Sequence, residues 1–493
     1  MTVRIECPWK AGAGRLGRQP ALIEGVRSIS YSQLQKMAAE AGYRLEVLGV
    51  RPHDYVAIAA FNSINYILVL LALWRIGAVA CLLSPRLPQA GIRDQLHKIG
   101  CRYLLTSLPA LLESSKIEIP KTDLEKITLG NKGGSQRAQV VQFGRNMTST
   151  FPLGQEVTVM FTSGTSGEPK AALHTFGNHY DNALGANEHI PVGPGDRWLL
   201  SLPLYHVGGL GIVFRVLLGK AAVVIPQAQE DISGALCRYR VTHLSLVSTQ
   251  LCRLLHDGKN TAILRRLKVL LLGGGPIPDS LVRRSVEEGL PLYATYGLTE
   301  MASQVATSRR LTRGNPVPGA HVLKYRQVRL SKENEILVKG KTLFKGYLQK
   351  NGLDLPLECG GWFATGDWGS LNADGTLNVL GRKDNMFISG GENIQPEEIE
   401  RHLCRIEGVV QAVVVPVKNE EFGARPAAFI QTKEGMRLSR TEILSSLRNY
   451  LPPFKLPEQI YTWPASVPQQ EIKHNRSYFH RLTENAPSLQ TIP

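Results

Sequence analysis

The amino-acid sequence predicts an α/β fold with a large, multi-lobed N-terminal domain and a small α+β C-terminal domain. Three observations support this fold class: short apolar runs alternate with helical patterns, the texture changes to short strands past about residue 310, and it changes again after Gly381. A chain of 493 residues is too long for one compact core, because domains usually contain roughly 100 to 200 residues. We therefore predict domains at residues 1–382 and 383–493.

The first 300 residues alternate between helical patterns and short apolar, β-branched runs. These runs are YVAIAAF, VACLLS, VTVMFT, RWLLSL, AAVVIP, HLSLV, KVLLLGG and LPLYATYG. Such alternation is typical of parallel sheets layered by helices. The N-terminal domain should therefore consist of layered helix and sheet lobes.

Past about residue 310 the runs shorten and turn signals appear, as in ENEILVKG, the NADG turn at Asn372–Gly375 and TLNVLGRK. This pattern predicts an antiparallel subdomain. After Gly381 we predict a helix at Gln395–Leu403, because Pro396 suits the first helical position. Two strands follow, at Val409–Val417 and Pro426–Thr432.

A second C-terminal helix is predicted to begin after Ser439. Ser439 and Glu442 form a Ser-x-x-Glu box, in which each side chain caps the other residue's backbone N–H. These helices and strands together predict the separate α+β unit.

One apolar stretch, Tyr66–Ser84, approaches the length of a membrane span. Arg75 and Gly77 lie at its centre, where a charge is costly in lipid. We interpret the stretch as a buried helix at Asn65–Arg75 followed by a buried strand at Ala78–Leu83. The sequence therefore predicts no membrane span.

The composition is that of an ordinary globular protein, with 43% hydrophobic and 20% charged residues. The formal net charge is +16, from 57 Lys and Arg against 41 Asp and Glu, which favours partners rich in phosphate. The basic residues are scattered and lack interleaved aromatics, so no nucleic-acid partner is expected. ATP and coenzyme A would suit the charge equally well.

Cysteine usage indicates reduced thiols and a cytoplasmic protein. The seven cysteines are odd in number and far apart, and none forms a Cys-x-x-Cys pair. Met1–Arg18 is polar and basic, unlike a secretory signal. The sequence does not determine the oligomeric state and leaves a homo-oligomer open.

The segment Val157–Lys170 reads VTVMFTSGTSGEPK, a strand that enters a loop rich in glycine and hydroxyl residues. Glycines allow backbone N–H groups to turn toward phosphate oxygens, hydroxyls add donors, and Lys170 adds charge. The pattern is not that of P-loop NTPases. From these residues alone, a phosphate site and a flexible surface turn both remain open.

With four further motifs, the chain resembles the acyl-adenylate-forming (ANL) superfamily of acyl-CoA synthetases, luciferases and peptide-synthetase adenylation domains. The motifs are TSGTSGEPK at Thr162–Lys170, YGLTE at Tyr296–Glu300, TGD at Thr365–Asp367, GRKD at Gly381–Asp384, and the late Lys473. They span nearly the whole chain in the family's order. The resemblance implies an ATP-dependent acid–thiol ligase that uses Mg²⁺ and coenzyme A, with a mobile C-terminal domain.

The resemblance implies ATP-binding residues along most of these motifs. They are Thr162, Ser163, Gly164, Thr165, Ser166, Gly167, Lys170, Gly273, Gly274, Gly275, Tyr296, Thr299, Asp367 and Arg382. Three glycines ending a strand let a flat ring lie on bare backbone, and Tyr296 can stack on a base. Thr299 can donate to the α-phosphate and Glu300 can hold Mg²⁺. Each residue alone could also be structural.

The same resemblance implies the residues that contact the ribose, the hinge residue and the residues of the coenzyme A tunnel. Asp367 and Arg382 would contact the ribose hydroxyls, although TGD alone could be a simple turn. Asp384 falls at the family's hinge, where a turn-capping role is the alternative. Gly390 and Gly391 fall where the family passes the coenzyme A thiol, in a segment that could also be an ordinary loop.

The catalytic residues implied are Lys473, His206, Thr299 and Glu300. Bringing a carboxylate to an α-phosphate joins two anions, so a mobile cation that arrives for this step is useful. Lys473 is our candidate, with Pro468 and Arg476 also matching the family. Ile472 stands where the family usually has glycine before this lysine.

Within the superfamily, the chain most resembles the o-succinylbenzoate–CoA ligases of menaquinone synthesis, which also tolerate Ile before the lysine. The matching stretches are DRWLLSLPLYHVGGLGIVFR, LVSTQLCRLL, LLGGGPIP, GRKDNMFISGGENIQPEEIER and IKHNR. The implied substrate is an aromatic dicarboxylic acid. The residues predicted to line its site are His206, Arg215, Gly274 and Gly297.

Arg215 is our candidate anchor for the second carboxylate, because a charge in the apolar run GIVFRVLL is costly unless paired. Pairing with a nearby acid is the alternative for Arg215, and core packing is the alternative for His206. A benzoate or fatty-acid ligase and a non-catalytic binding protein on a decayed ligase scaffold compete with the main interpretation. A decayed, non-catalytic protein would be expected to have lost Lys170, Glu300, Asp367 or Lys473, and all four are present.

Overall fold

The computed structural model describes residues 3–10, 15–129, 150–162, 169–227, 229–256, 258–314, 319–349, 352–389, 392–433, 435–465, 467, 476–484 and 489–492. The α-helices in these ranges are α1 (Arg15–Arg18), α2 (Tyr31–Val47), α3 (Ile64–Ile76), α4 (Gln89–Ile99), α5 (Pro109–Leu112), α6 (Leu124–Leu129), α7 (Phe176–His189), α8 (Val207–Leu218), α9 (Ile232–Tyr239), α10 (Ser248–Leu255), α11 (Thr261–Arg265), α12 (Asp279–Glu287), α13 (Pro396–Leu403), α14 (Arg440–Arg448) and α15 (Arg476–Glu484). Within the same described ranges, Thr299–Met301, Lys383–Asn385 and Pro453–Lys455 form short 3₁₀ helices.

The strands in the same ranges belong to several sheets that interleave along the chain. They are β1 (Arg4–Glu6), β2 (Pro20–Glu24), β3 (Arg27–Ser30), β4 (Tyr55–Ala59), β5 (Val79–Leu83), β6 (Tyr103–Thr106), β7 (Lys121–Asp123), β8 (Thr150–Pro152), β9 (Glu156–Thr162), β10 (Lys170–Thr175), β11 (Arg197–Leu199), β12 (Ala222–Ile225), β13 (His243–Leu246), β14 (Val269–Leu272), β15 (Leu292–Leu298), β16 (Ser303–Thr307), β17 (His321–Val322), β18 (Arg326–Leu330), β19 (Glu335–Gly340), β20 (Gly346–Gln349), β21 (Gly352–Asp354), β22 (Leu357–Glu358), β23 (Trp362–Leu371), β24 (Leu377–Arg382), β25 (Phe387–Ser389), β26 (Glu392–Ile394), β27 (Val409–Asn419), β28 (Gly423–Thr432) and β29 (Gln459–Thr462).

The first large sheet has the strand order β21-β20-β10-β9-β5-β4-β6-β7. Its central strands run parallel from β9 to β7. Strands β9 and β10 form an antiparallel pair in which Thr162 lies opposite Lys170. The two ends of the predicted phosphate loop are therefore held side by side.

The second large sheet has the order β17-β16-β15-β14-β13-β11-β12-β2-β3 and is parallel from β15 to β2. Because β14 and β15 are neighbours with the same direction, Gly273 and the YGLTE motif meet at one edge of the sheet. Ligands of open α/β sheets bind beyond such carboxyl ends. Every apolar run singled out in the sequence contributes a strand, so the layered α/β prediction is confirmed.

The predicted antiparallel subdomain is the sheet β18-β19-β23-β22, with β24 added to β23. Other strands from the same part of the sequence belong to the two large sheets. Strand β17 extends the second large sheet, and β20 with β21 extends the first. The antiparallel segment of the sequence thus contributes to three sheets, and this places β20 beside β10, the strand that begins at Lys170.

The long apolar stretch forms helix α3 and strand β5, as predicted. Gly77 ends the helix in a left-handed conformation with φ of +81°, which favours glycine. The side chains from Tyr66 to Trp74 are almost completely buried in the protein core. Among the described residues, no helix is long and apolar enough to cross a membrane. All seven cysteines are free thiols.

The C-terminal region has its own sheet, β27-β28-β29. Pro396 begins α13, and Ser439 caps α14 through the predicted box: Glu442 N–H donates to Ser439 Oγ at 3.2 Å, and Ser439 N–H to Glu442 Oε2 at 2.8 Å. Ile399, Val414 and other side chains form a core of this region. The boundary at residue 382 stays a prediction.

Candidate active site

Lys170 begins β10 at the end of the predicted phosphate loop, and its side chain is exposed. Its ammonium lies 5.1 Å from the centre of the Tyr347 ring, a cation–π distance. Thr162 lies opposite at the end of β9. The predicted loop residues Ser163, Gly164, Thr165, Ser166 and Gly167 lie outside the described residues.

The three glycines after β14 differ in what surrounds them. A Cβ on Gly273 would come within 2.7 Å of the Thr295 backbone oxygen, so this glycine permits close packing of β14 on β15. Gly274 has a φ of +81°, which disfavours other residues. A Cβ on Gly275 would meet no atom within 4 Å. Only Gly275 therefore leaves open space above the backbone.

Asp367 joins the antiparallel sheet to β15. The Tyr296 hydroxyl donates to Asp367 Oδ2 at 2.6 Å, and Arg382 Nη1 donates to Asp367 Oδ1 at 3.1 Å and to the Thr365 backbone oxygen at 2.9 Å. Burial, together with the Asp367 charge, raises the pKa of Tyr296. The phenol therefore stays protonated and holds the carboxylate in place.

Arg382 also reaches Asp384, the predicted hinge residue, with Nη2 2.6 Å from Asp384 Oδ2. Burial alone would lower the pKa of Arg382, but Asp367 and Asp384 outweigh it and raise that pKa. The structure thus brings together Tyr296, Asp367, Arg382 and Asp384.

The turn that carries Thr299 and Glu300 is fixed by hydrogen bonds to its backbone oxygens. His174 Nε2 lies 2.7 Å from the Thr299 backbone oxygen, and Phe344 N–H donates to the Glu300 backbone oxygen at 2.7 Å. Burial lowers the pKa of His174 to about 4. At neutral pH His174 is therefore uncharged, and its Nε2–H can donate to this carbonyl.

Strained backbone follows the same turn. Ala302 and Ser303 have φ values of +57° and +135°, which are costly for residues other than glycine. A Cβ on Gly297 would lie 2.0 Å from the Ser303 backbone oxygen. Gly297 is therefore required where β15 passes this strained segment. Such strain is typical of functional sites.

His206 and Arg215 lie at opposite ends of α8. His206 occupies the N-cap position and is exposed, with its ring 4.7 Å from that of Tyr205. Arg215 is nine positions further along the chain, which corresponds to about 13.5 Å along the helix axis. These two predicted substrate residues could therefore reach only separate parts of one ligand.

Arg215 is buried, with 3% of its surface exposed. Its Nε donates to Asn187 Oδ1 at 3.0 Å, Nη1 to Gln304 Oε1 at 3.0 Å, and Nη2 to the Ile190 backbone oxygen at 3.1 Å. The guanidinium also lies 4.3 Å above the Trp198 ring. All of these acceptors are neutral.

Among the described residues, no Asp or Glu forms an ion pair with Arg215, so the pairing with an acid that the sequence left open does not occur there. Burial, with the nearby Arg326, lowers the pKa of Arg215 to about 9. Arg215 is still charged at neutral pH. A buried positive charge without a counter-ion favours an anion nearby.

Three predicted residues of the C-terminal domain, Lys473, Gly390 and Gly391, lie outside the described residues. Helix α15 begins at Arg476, three positions after Lys473. Arg476 Nη2 lies 3.1 Å from Glu397 Oε1 and 3.2 Å from Glu400 Oε2. The lysine therefore precedes a helix that is anchored to α13.

The donors at this site fit magnesium that arrives with a nucleotide. Glu300 supplies one carboxylate, which accepts from Tyr347, and the Tyr347 ring contacts Lys170 at the end of the phosphate loop. Among the residues that the structure covers, no group of three or more His, Cys, Asp or Glu could hold a metal. Mg²⁺ is commonly bound through one or two carboxylates and substrate phosphates.

Sequence reasoning missed three residues at this site: Tyr347, which contacts Lys170 and Glu300; His174, beneath Thr299; and Gln304, which accepts from Arg215. No motif distinguishes them. Their positions depend on strand pairing between segments that are far apart in the sequence, and this could not be read from local patterns.

Comparison with known families agrees with this geometry. The sequence profile of the family described as AMP-binding enzyme matches residues 9–348. The profile described as AMP-binding enzyme C-terminal domain matches residues 398–472. Both parts of the chain thus match one family.

Similar proteins span nearly the whole chain. It is 32% identical over 486 residues to the 2-succinylbenzoate–CoA ligase of Geobacillus sp. (strain WCH70), covering 94% of this chain and 95% of that protein. It resembles o-succinylbenzoate CoA synthetase (MenE) from Bacillus subtilis in complex with the acyl-adenylate intermediate OSB-AMP, with a TM-score of 0.84, 26% identity and coverage of 97% and 98%. The Bacillus subtilis protein in complex with ATP and magnesium ion gives a TM-score of 0.80, 26% identity and coverage of 93% and 96%.

Proposed function

The chain belongs to the AMP-binding enzyme family, and on that premise we propose that it is an ATP-dependent ligase that joins o-succinylbenzoate to coenzyme A. The reaction passes through an acyl-adenylate and releases pyrophosphate and AMP. The choice of acid rests on the similar 2-succinylbenzoate–CoA ligase and on the similar structure that contains OSB-AMP. The resemblance places the reaction in menaquinone biosynthesis, and we assign it to the cytoplasm.

One observation carries the reaction class. Lys170, at the end of the phosphate loop, contacts the Tyr347 ring, and Glu300 accepts from the Tyr347 hydroxyl. The Tyr296–Asp367–Arg382 group lies at the other end of the YGLTE motif. A triphosphate and its ribose would need these two sets of groups at the same time. The Lys170 ammonium suits the phosphates, and the Glu300 carboxylate suits the magnesium that accompanies them. The Asp367 carboxylate suits the ribose hydroxyls.

In the first half-reaction a carboxylate oxygen of the acid attacks the α-phosphorus of ATP, and the bond to pyrophosphate breaks. Lys170 neutralises phosphate charge, and Thr299 donates to the α-phosphate as it becomes more negative. Magnesium bound with Glu300 would neutralise further charge when present. Lys473 approaches the carboxylate and the α-phosphate together, and His206 orients the acid.

In the second half-reaction the coenzyme A thiolate attacks the acyl carbonyl of the adenylate, and the bond to AMP breaks. We propose that the C-terminal domain, residues 383–493, turns about Asp384 between the two steps. Gly390 and Gly391 would then line the path of the thiol. Domain rotation allows one site to serve two reactions with different needs.

The direct test is formation of o-succinylbenzoyl-CoA from o-succinylbenzoate, ATP, Mg²⁺ and coenzyme A, followed by chromatography. A panel with benzoate and a medium-chain fatty acid, scored by pyrophosphate release, tests the choice of acid. We expect o-succinylbenzoate to give the highest kcat/KM. If another acid were preferred, the substrate assignment would be wrong but the reaction class would stand.

Replacing Arg215 by Met should raise the KM for o-succinylbenzoate about tenfold to a hundredfold, because one charge-assisted interaction contributes roughly 1.5–3 kcal/mol. The KM for ATP should change little. A substrate analogue without the ring carboxylate should be used equally well by wild type and variant. Steady-state kinetics with both acids measures this.

Arg326→Met is the matched control for Arg215, because Arg326 is also buried, with 6% exposed, and burial lowers its pKa to about 9. It donates to the Lys324 backbone oxygen at 2.6 Å. Because the Arg326 charge acts on Arg215, its removal should lower stability and raise the KM for the dicarboxylic acid by a smaller factor than Arg215→Met does. An equal KM change in both variants would remove Arg215 from acid recognition.

Replacing Asp367 by Asn should raise the KM for ATP about tenfold, because an amide accepts hydroxyl protons more weakly than a carboxylate. The wild type should prefer ATP to 2′-deoxy-ATP and 3′-deoxy-ATP, and the variant should lose part of this preference. Pyrophosphate release with each nucleotide gives the ratio. An unchanged ratio would contradict ribose binding by Asp367.

A further inference from the structure

We propose that Tyr347 is a positioning residue that sets Glu300 and Lys170 for the magnesium–triphosphate part of ATP; this deepens the proposed function and rests on it. The Tyr347 hydroxyl donates to Glu300 Oε1 at 2.6 Å, and the Lys170 ammonium lies 5.1 Å from the ring centre. Only 5% of Tyr347 is exposed. One buried side chain thus contacts both charged groups.

Strand pairing brings these residues together. In the antiparallel pair of β10 and β20, Tyr347 lies opposite Ala172. Lys170 is two residues before Ala172, so its side chain lies on the same face of the sheet. A diagonal neighbour on one face is within reach of long and aromatic side chains. The Lys170–Tyr347 contact therefore follows from the register.

The segment around Tyr347 holds Glu300 at two points. Phe344 N–H donates to the Glu300 backbone oxygen at 2.7 Å, and the Tyr347 phenol binds the carboxylate. The Phe344 and Tyr347 rings pack edge to face, with centres 4.7 Å apart. Both the backbone and the side chain of Glu300 are thereby fixed by one short segment.

The phenol also keeps the two charges separate. Among the described residues, Lys170 forms no ion pair with Glu300; the Tyr347 ring lies against the ammonium and its hydroxyl against the carboxylate. A direct ion pair would neutralise both groups before a ligand arrives.

The test compares ATP affinity in Mg²⁺ and in EDTA, measured by calorimetry without the acid so that no reaction occurs. In wild type, Mg²⁺ should tighten ATP binding. Tyr347→Phe keeps the ring beside Lys170 but removes the hydroxyl, and should reduce the Mg²⁺-dependent gain about tenfold, as expected for one charge-assisted hydrogen bond. Affinity in EDTA should stay within about twofold, since the ring remains.

The chain contains a matched control. Tyr325 donates to Glu188 Oε1 at 3.1 Å, and the Lys341 ammonium lies 5.6 Å from its ring centre. This gives a second Lys–Tyr–Glu arrangement outside the predicted site, in which Glu188 also forms an ion pair with Lys324. Tyr325→Phe should leave the Mg²⁺-dependent gain at the wild-type value. A reduction in both variants would show a general effect on stability and would overturn the proposal.

Two outcomes separate this inference from the proposed function. If wild type gains affinity with Mg²⁺ but Tyr347→Phe keeps the full gain, the inference is wrong and the function stands. If ATP binds wild type equally with Mg²⁺ and with EDTA, the proposed role of Glu300 fails, and the inference with it. Tyr347→Leu, which also removes the ring, should in addition lower ATP affinity in EDTA; unchanged affinity would overturn the proposed contact with Lys170.

Discussion

Replacing Lys473 by Ala should lower the rate of adenylate formation about a thousandfold, because this cation would join two anions in the transition state. The same variant should convert supplied acyl-adenylate and coenzyme A to the thioester at a rate within about threefold of wild type, since that step involves no attack on phosphate. Pyrophosphate release measures the first rate, and thioester formation measures the second.

Lys418→Ala is a suitable control, because Lys418 is an exposed lysine on β27 in the same C-terminal region. It should leave both half-reactions unchanged. Equal losses of both half-reactions in Lys473→Ala would contradict the alternation of the C-terminal domain between two steps. A loss of adenylate formation without a loss of thioester formation is informative, because a folding defect would lower both rates together.

The fold was largely predictable from the sequence because its central strands are buried on both faces. Such strands appear in the sequence as continuous apolar runs. Every run singled out in the sequence forms a strand; VTVMFT, for example, forms β9 and KVLLLGG forms β14. Local signals also predicted two C-terminal helices, since Pro396 begins α13 and the Ser439 and Glu442 box begins α14, whereas α15 was not predicted. Each of these signals acts within a few residues.

The contacts around the site were not predictable, since they depend on pairing between distant strands. Tyr347 reaches Glu300 only because β20 leaves the antiparallel segment and pairs with β10. For Arg215 the sequence left pairing with a nearby acid open as the alternative to substrate binding, whereas its acceptors are the side chains of Asn187 and Gln304 and backbone oxygens. No local pattern in the sequence specifies a neutral partner on another element.

Replacing Glu300 by Gln should lower the rate of adenylate formation about a hundredfold, because a neutral amide is a poor magnesium ligand. The amide oxygen can still accept from the Tyr347 hydroxyl, so the turn should keep its shape. Excess Mg²⁺ should restore part of the rate, and ATP affinity in EDTA should not fall. The thioester step from supplied adenylate should be spared, because pyrophosphate takes no part in that step.

Glu188→Gln is the matched control for Glu300, because Glu188 Oε1 accepts from Tyr325 at 3.1 Å in a similar arrangement. It should leave the Mg²⁺ dependence of pyrophosphate release unchanged. If Glu300→Gln slowed both half-reactions equally, with no response to Mg²⁺, Glu300 would be needed only for the structure of the turn. A Mg²⁺-sensitive loss confined to adenylation would instead connect the YGLTE motif to the metal, and this is the step that distinguishes an active ligase from a decayed scaffold.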